Sequence, residues 1–316
     1  MLDELKFVRN AVAKKDFVPG LCHFRICDNR ITGYNGELAI STPVAIDYNI
    51  APSAPHFMKA INACNDTITL KMRGQKLEVR SGRFKTNVPC IGVDEVPVIL
   101  PLGKRYDLDI NLVDCFKKLL PFVGVDASKP WACGVLLRGQ SAFATNNIVL
   151  IEHWIGGELP IINIPTAALV EVVRYKKQPS YLLVDTNRVT FCYDDGSWIS
   201  HSLSILEWPN VEDVINVEDA NYINFPEGFF EAVEQLTQFS DDLKRFYFIE
   251  DHLATSKDLD EAATVECPNC PPAGCFNLKI MQTLEGVSTM VDFTKWPAPA
   301  PFVGDGVRGV VVGYRQ

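Results

Sequence analysis

Apolar residues recur at helical spacing in six segments of the chain, and they alternate with polar residues between these segments. In residues 112–123, for example, Val113, Phe116 and Leu119 would lie on one face of a helix. The predicted helices cover residues 2–15, 56–64, 112–123, 166–177, 225–239 and 277–284. Alternating stretches that predict strands include residues 22–26, 31–40, 67–72 and 189–192. The pattern therefore predicts the order helix, strands, helix, strands three times.

The chain also contains an internal repeat with an offset of 111 residues. Two copies align without a gap, and their matched pairs are Cys22 with Cys133, Ile26 with Leu137, Asn35 with Asn146, and Ile40 with Ile151. At twice this offset Phe24 matches Phe246 in a weaker third copy. The pair Val96-Pro97 matches Trp208-Pro209 at an offset of 112. Repeats of this kind indicate that one structural unit has been duplicated along the chain.

The repeat predicts three similar domains, which cover residues 1–103, 104–215 and 216–316. The simplest architecture for each is α+β, with antiparallel sheet on one side and two helices on the other. Strand-like segments at 105–110 and 221–225 lead into the second and third domains. The first domain begins directly with its helix, so the corresponding strand is predicted to be missing there.

Composition excludes several classes of protein. Of 316 residues, 47% are hydrophobic and 22% are charged, which is typical of folded domains and not of disordered chains. The net charge of −9 disfavours nucleic-acid binding over the whole surface but allows a basic face. No apolar run approaches the 18 or so residues of a membrane span, and the acidic start lacks a signal-peptide pattern. We therefore expect a cytoplasmic protein whose ten cysteines are mostly reduced.

The order of motifs resembles the bacterial DNA polymerase sliding clamp, the β subunit of polymerase III. Residues 126–135 (DASKPWACGV) resemble the opening of that family's second domain, and residues 144–150 (ATNNIVL) stand where the family has a Thr-Asp-Gly-His-Arg-Leu motif. Residues 159–174 resemble the approach to a second inner helix, and residues 292–314 resemble the C-terminal segment of phage-encoded clamps. The resemblance covers nearly the whole chain and is weakest in the third domain.

This resemblance implies a closed ring made by a head-to-tail homodimer, with helices around a central hole and sheets as the outer wall. Such a ring encircles double-stranded DNA without sequence preference. It tethers a DNA polymerase, and the polymerase and the clamp loader bind through short peptide motifs. The resemblance therefore implies a non-catalytic processivity factor with no cofactor and no membrane partner, encoded by a phage.

A sliding tether needs cations that attract phosphates at every register of the duplex. The candidates lie on the predicted helices or just before the first strand of a domain, where the family places a basic residue ahead of a Pro. They are Lys6, Arg9, Lys14, Lys15, Lys59, Lys117, Lys118, Lys129, Arg174, Lys176 and Lys177. Lys15 precedes Pro19 in this way, and Lys129 holds the similar place in the second domain. The alternative interpretation is that these residues form ordinary solvated helix faces.

The resemblance also implies a cleft that accepts the partner peptides. The matching residues are Ala132, Thr145, Asn147, Ile148, Val149, Leu150, Val310 and Val312. Ile148-Val149 replaces the family's His-Arg pair, and Val312-Gly313-Tyr314 replaces its Met-rich tail, so the cleft should be more apolar. The alternative is that these are core strand residues.

The cysteines support two rival hypotheses. Cys267-Pro-Asn-Cys270 with Cys275 could hold zinc in an interaction protein, but a fourth ligand is not evident, so we expect a reduced loop without metal. A cysteine-dependent enzyme of an unrecognised fold would need a Cys–His pair, which sequence alone does not place in space. The chain has no Gly-rich phosphate loop and no His-Glu-x-x-His motif.

Overall fold

The structure is a computed structural model that describes residues 1–15, 18, 20–204 and 206–315. Its helices are α1 (Leu2–Val8), α2 (Ala54–Asn62), α3 (Leu112–Leu119), α4 (Thr166–Tyr175), α5 (Glu212–Ile215), α6 (Phe229–Leu236) and α7 (Leu278–Leu284). Each of the six predicted helical segments overlaps one of these helices, and α2 begins two residues before its predicted segment. The remaining helix, α5, lies between the second and third repeats. In the described part of the chain, no helix is long and apolar enough to cross a bilayer.

The strands follow the predicted order around these helices. The first repeat contains β1 (Arg25–Cys27), β2 (Arg30–Tyr34), β3 (Leu38–Pro43), β4 (Ala51–Pro52), β5 (Ile68–Arg73), β6 (Lys76–Ser81) and β7 (Phe84–Ile91). The second contains β8 (Lys104–Asp107), β9 (Gly134–Thr145), β10 (Val149–Pro165), β11 (Tyr181–Asp185), β12 (Arg188–Cys192) and β13 (Trp198–Ser202). The third contains β14 (Ile223–Asn224), β15 (Arg245–Ile249), β16 (His252–Ala254), β17 (Thr264–Glu266), β18 (Ala273–Asn277), β19 (Met290–Val291), β20 (Ala300–Gly304) and β21 (Val307–Val311). The lead-in strands β8 and β14 are present, and in the first repeat α1 begins at Leu2.

The chain divides into two compact units. The first unit comprises Met1–Asp109 and Ala167–Leu203. It contains a seven-stranded sheet of order β1-β2-β3-β13-β12-β11-β8 and a four-stranded sheet of order β4-β7-β6-β5. In the larger sheet β3 of the first repeat pairs with β13 of the second, with Ile40 opposite Ile199.

The second unit comprises Ile110–Thr166 and Ser204–Gln316. Its six-stranded sheet has the order β14-β19-β20-β21-β10-β9, and its four-stranded sheet has the order β17-β16-β15-β18. Here β10 of the second repeat pairs with β21 of the third, with Ile151 opposite Gly309. The compact units cross the repeat boundaries because the larger sheet of each unit joins strands of two neighbouring repeats. The domain limits 1–103, 104–215 and 216–316 stay a prediction from the repeat.

The helices bury the apolar face that their spacing predicts. In α3 the side chains of Val113, Phe116 and Leu119 are buried, whereas Lys117 is exposed. The core around α6 is aromatic. Its buried phenylalanines are Phe229, Phe246, Phe248, Phe276 and Phe293. The centroids of neighbouring rings lie 5.0–6.3 Å apart, and those of Phe248 and Phe293 are separated by 5.0 Å. Such rings contribute large buried areas and favour edge-to-face contacts.

Several helices are shorter than the sequence predicts. Residues 2–15 form α1 and a 3-10 turn, Arg9–Ala11, after which Val12 is extended and Ala13 donates a backbone hydrogen bond to Leu21 at 2.9 Å. Lys14 and Lys15 therefore lie beyond the helix that was expected to carry them. Pro19, which follows Lys15, lies outside the described residues. Residues 225–239 form only α6 and a 3-10 turn because Gly228, at φ +73°, starts the helix late. The α4 helix ends at Tyr175 because Lys176 adopts a left-handed φ of +61°.

Candidate functional site

In the second unit, the centre of the six-stranded sheet brings together residues that lie far apart in the sequence. Leu150 of β10 lies opposite Thr145 of β9 and opposite Val310 of β21. Residues that are directly opposed in neighbouring strands point to the same face of a sheet. Leu150, Thr145 and Val310 therefore share one face, as the predicted cleft requires.

A segment between the second and third repeats covers this face. Its residues complete a buried apolar cluster whose members are Leu136, Phe143, Leu150, Val211, Ile215 and Val310. Ile215 belongs to α5 and Val211 precedes it, while Trp208 packs against the cluster from outside. The ring of Trp208 contacts that of Trp131 edge-on, with centroids 5.4 Å apart. We name this group, together with Ile148 and Val312, the cleft.

The sequence reasoning missed the residues of this covering segment. Val211, Ile215 and Trp208 were not among the predicted cleft residues. The available signal was the match of Trp208-Pro209 with Val96-Pro97, because an apolar residue followed by Pro recurs at the same place in two repeats. The α5 helix spans only four residues, which is too short to show a helical period in the sequence.

The predicted cleft residues fall into an interior group and a rim. Ala132, Thr145, Leu150 and Val310 are buried. Ile148 and Val312 remain 37% and 41% exposed, and the backbone N–H of Val312 donates to the carbonyl of Ile148 at 2.8 Å. These two side chains form the accessible apolar rim of the cleft.

Val149 and Asn147 have different surroundings from the rest. Val149 is buried opposite Val311, on the face of β10 that is turned away from Leu150. Asn147 is exposed, and its φ of +70° places it in the tight turn that precedes β10. The side chain of Asn146 accepts hydrogen bonds from the backbone of Ile148 and Val149 at 3.0 and 2.8 Å. This turn fixes the position of Ile148 at the rim.

The C-terminal segment is held in place beyond the cleft. The backbone N–H of Tyr314 donates to the carbonyl of Cys275 at 2.8 Å, and its hydroxyl donates to the carbonyl of Leu243 at 2.9 Å. The indole N–H of Trp296 donates to the carbonyl of Tyr314 at 3.1 Å. The side-chain amide of Asn277 also donates to the Tyr314 hydroxyl at 3.2 Å, so four hydrogen bonds anchor Tyr314, two residues after Val312.

The same sheet face continues from the apolar cleft into a polar cavity of about 360 Å³. The carboxylate of Glu152 is buried, accepts from the hydroxyl of Ser141 at 2.6 Å and lies 2.5 Å from Nε of Arg308. The guanidinium of Arg138 lies 3.1 Å from Glu212 at the other side of the cavity. Each arginine of this cavity thus has a carboxylate partner within the chain.

The predicted DNA-contacting residues of the first unit differ in their exposure and in their partners within the chain. Lys6, Arg9, Lys14, Lys15 and Lys59 are exposed. Lys6 lies at the outer limit of a salt bridge, 4.0 Å from Asp3. An exposed cation whose carboxylate partner is distant is the kind that a phosphate can recruit.

Arg174 is instead held between two helices of the first unit. Its Nε donates to Glu171 at 2.6 Å, and its Nη2 donates to the carbonyl of Phe7 at 3.0 Å. Nη1 lies 3.5 Å from the carbonyl of Lys6, and Asn10 donates to the other oxygen of Glu171 at 2.9 Å. Arg174 therefore joins α4 to α1, in addition to the DNA contact that the sequence suggested.

The remaining cations of both units have local acceptors. Lys177 lies 2.6 Å from Asp195, and its pKa is raised by the hydrogen bond to that carboxylate. Lys176 is exposed at its left-handed position. In the second unit Lys117 pairs with Asp114 at 3.4 Å, Lys118 donates to the carbonyl of Asp305 at 3.3 Å, and Lys129 donates to Asn147 at 3.2 Å. These surface contacts are worth at most about 1 kcal/mol each, so a phosphate can replace them.

The cysteines of the 267–275 segment lie in a protein interior. Cys267 and Cys275 are buried and Cys270 is partly buried, and burial raises the pKa of all three thiols. Burial also raises the pKa of Cys115 to about 12. Thiols with raised pKa values are poor nucleophiles at neutral pH. Among the described residues, no group of three or more His, Cys, Asp or Glu side chains could hold a metal ion.

Known proteins resemble this chain in structure and not in sequence. No protein-family model and no curated protein matches the sequence. Solved structures match over the full length. The Caulobacter crescentus β sliding clamp superposes with a TM-score of 0.85 at 16% identity, over 100% of this chain and 97% of that one. The chain has the sliding-clamp fold. The DNA polymerase sliding clamp of Bacillus subtilis gives the same TM-score and coverage at 15% identity. The Pseudomonas aeruginosa clamp, bound to griselimycin, gives 0.84 at 14% identity, again with 100% and 97% coverage.

The sliding-clamp fold confirms the predicted α+β architecture of three similar clamp domains with helices and antiparallel sheets. Because only 14–16% of the residues are identical in these three matches, individual motifs are little preserved, and the resemblance rests mainly on the order of the elements.

Proposed function

We propose that this protein is a DNA sliding clamp, a processivity factor that encircles double-stranded DNA and tethers a DNA polymerase. The observation that carries the proposal is the structural match to bacterial β clamps over 100% of this chain and 97% of theirs. The clamp is non-catalytic, cytoplasmic and needs no cofactor. The phage origin that the C-terminal segment suggests stays a prediction.

The DNA would be held by cations that carry no sequence information. Arg9, Lys14 and Lys59 are exposed, and they lie at or near α1 and α2. Weak, replaceable contacts suit a ring that slides, because a strong fixed contact would stop it at one register. Arg174 serves chiefly to join α1 and α4, and it contributes to the DNA surface mainly by holding these helices together.

The ring would close as a head-to-tail homodimer through the two four-stranded sheets. In the first unit, the solvent face of β5, β6 and β7 carries one buried carboxylate, Glu78, and several cations around it. These cations are Lys71, Arg73, Lys76, Arg80 and Lys85. In the second unit, the segment that ends in the edge strand β17 is acidic, with Asp258, Asp260, Glu261 and Glu266. Complementary charge favours contact between the first unit of one subunit and the second unit of its partner.

Partner proteins would bind the cleft through short peptides with apolar anchors. Ile148 and Val312 offer the exposed apolar surface, and the buried cluster below them provides an apolar floor. An exposed apolar rim over an apolar floor suits alternate side chains of an extended peptide. The P. aeruginosa neighbour binds griselimycin, so griselimycin is a defined probe for the cleft of this chain. The structural matches to sliding clamps favour this function and give no support to the zinc and enzyme hypotheses.

A topological experiment tests the proposal. Protein is diluted until the dimer dissociates, mixed with nicked circular DNA and concentrated so that rings close around the circle. A ring should stay on the circle through a high-salt wash and should leave when a restriction enzyme linearises the DNA. A purely electrostatic binder would leave both forms at high salt. Retention that is equal on circular and linear DNA would contradict the proposal.

A further inference from the structure

The first unit contains a cavity of about 400 Å³ on the face of the seven-stranded sheet that carries Thr32, Ser41 and Trp198. These three residues are opposed in consecutive strands, Thr32 to Ser41 and Ser41 to Trp198, so they share a face. The segment 97–101 lines the cavity as well. We name this space the junction cavity, because it lies where strands of the first and second repeats pair.

The internal repeat assigns the junction cavity a counterpart in the second unit. At the offset of 111, Thr32 corresponds to Phe143 and Ser41 to Glu152, and both counterparts line the polar cavity beside the cleft. The strand register supports the match independently. Ser41 is opposite Trp198, as Glu152 is opposite Arg308. The fold thus contains the same kind of site twice, once in each unit.

The two cavities differ in how their arginines are neutralised. In the second unit, Glu152 and Glu212 pair with Arg308 and Arg138 at 2.5 and 3.1 Å. The corresponding positions of the first unit hold Ser41, at the offset of 111, and Leu100, at the offset of 112 that relates Val96-Pro97 to Trp208-Pro209, and neither carries a charge.

The junction cavity nevertheless contains two guanidinium groups. Arg30 donates from Nε to the hydroxyl of Ser41 at 3.2 Å and from Nη2 to the carbonyl of Gly196 at 2.7 Å, which are neutral acceptors. Nε of Arg25 is buried and has no hydrogen-bond partner within the described chain. Burial lowers the pKa of Arg30, which shows that its surroundings compensate the charge incompletely.

Two carboxylates near these arginines have other hydrogen-bond partners. Asp28 lines the cavity and accepts a hydrogen bond from the thiol of Cys27 at 3.3 Å. Asp195 acts on Arg30 through space, but its carboxylate lies 2.6 Å from Lys177. A carboxylate supplied from outside would therefore provide Arg25 and Arg30 with the partner that the second unit supplies from its own chain.

The opening of the junction cavity is apolar. Ile99 packs against the buried cluster of Ala39, Cys192 and Trp198. Its neighbours Val98 and Leu100 are 52% and 60% exposed, and both line the cavity. A ligand that fits this site has an acidic group beside an apolar one.

We propose that the junction cavity is a second peptide-docking site, which takes an extended peptide with an acidic side chain next to an apolar side chain. Its use by a clamp partner rests on the proposed function, whereas the binding chemistry rests only on the cavity. The site would let one protein subunit hold an acidic and an apolar peptide at the same time, at the junction cavity and at the cleft.

Fluorescence anisotropy on the full-length protein tests the proposal. The probe is a fluorescein-labelled peptide with two glutamates followed by two leucines, and the control peptide has glutamine in place of both glutamates. We expect the acidic peptide to bind about tenfold more tightly than the control, the order expected for a charge-assisted hydrogen bond. Arg30→Gln should remove this preference. Leu100→Glu should remove it as well, because it places a carboxylate at the counterpart of Glu212 without deleting an arginine. Unchanged melting temperatures establish that both variants fold.

Several outcomes would overturn the proposal. These are equal binding of the two peptides, unchanged preference in both variants, and displacement of the acidic peptide by oligo-dT, which would assign the site to nucleic acid. A leucine–phenylalanine peptide without acidic residues should not compete, because it would occupy the cleft. The ring experiment is scored separately. If the acidic peptide binds and no ring forms, the clamp function is rejected and the docking role of the junction cavity stands. If a ring forms and the peptide does not bind, the docking role is rejected and the clamp function stands.

Discussion

The guanidinium of Arg174 in α4 donates a hydrogen bond to the backbone carbonyl of Phe7 in α1, at 3.0 Å. The same guanidinium neutralises Glu171, which is buried. A cation that the repeat pattern suggested for DNA thus also joins helices of two repeats within the first unit.

We expect Arg174→Ala to destabilise the protein by about 1–3 kcal/mol, because it leaves the buried carboxylate of Glu171 with only Asn10 as a partner. Thermal and urea denaturation measure this change. Arg9→Ala is the matched control, since Arg9 is exposed and has no such carboxylate to satisfy. If Arg174→Ala kept full stability and lost DNA retention, the joining role would be wrong and the DNA contact would be its main role.

The cleft should depend on its exposed rim. We expect Val312→Asp to weaken the binding of griselimycin or of a leucine–phenylalanine peptide by more than about 1 kcal/mol, because it places a charge in an apolar anchor site. Val125→Asp is the control, since Val125 is 98% exposed and lies outside the cleft. Removal of residues 312–316, of which Gln316 lies outside the described residues, should abolish binding and leave the dimer intact. Calorimetry measures ligand binding, and a size measurement on the same protein reports the dimer. Unchanged binding would mean that partners dock elsewhere.

Binding to short linear duplex should be weak and salt-dependent. Replacing Arg9, Lys14 and Lys59 by alanine should flatten the plot of log K against log salt by about 0.9 for each phosphate that the protein no longer neutralises. Fluorescence anisotropy at several salt concentrations measures the slope. Lys104→Ala is the control, because Lys104 lies on β8 over the ring of Tyr106. An unchanged slope in the triple variant, or tight binding to one sequence, would contradict the assignment.

The ion pair of Asp195 and Lys177 should make part of the stability acid-labile. Burial raises the pKa of Asp195, but hydrogen bonds from Lys177, Tyr175 and Ser197 outweigh it and hold this pKa well below its usual range. Stability from such a carboxyl is fully present above its unfolded-state pKa of about 3.9 and is lost as the pH falls toward the folded-state value. Asp195→Asn should therefore lower the melting temperature between about pH 5 and 7, and the difference should shrink below about pH 4. A difference that stays constant down to about pH 3 would reject this explanation.

Much of the fold could be predicted because its cause is local. Alternation and helical spacing identify the repeated helices and strands, and the offset of 111 between Ile40 and Ile151 identifies two strands that hold equivalent places in their sheets. Helix ends were harder to predict, because α4 stops at the left-handed Lys176 and no residue there is a glycine or proline.

The site was less predictable than the fold because it depends on long-range contacts. The family resemblance supplied Leu150 and Val310, which the structure places opposite each other. It did not supply Val211 and Ile215, since they approach the sheet from a short connecting helix. The bond from Arg174 to the carbonyl of Phe7 spans 167 residues, and no local pattern indicates such a contact.

Reversing the charges on the proposed subunit interface should open the ring, and reversing both sides should close it again. Lys71→Glu with Lys76→Glu should weaken the dimer by placing acidic groups against an acidic segment of the partner. Asp260→Lys with Glu261→Lys in the same chain should restore it. Sedimentation at several protein concentrations measures both variants, and failure of the restoring change would assign the contact to other surfaces.

The central claim is that this protein forms a ring, and negative-stain imaging of the purified full-length protein tests it most directly. The clamp account predicts particles of about twice the chain mass of 35.2 kDa, with a central hole. These rings should disperse in the Lys71→Glu and Lys76→Glu double variant and reappear in the restored one. Compact particles without a hole, or monomers that persist at high protein concentration, would contradict the account.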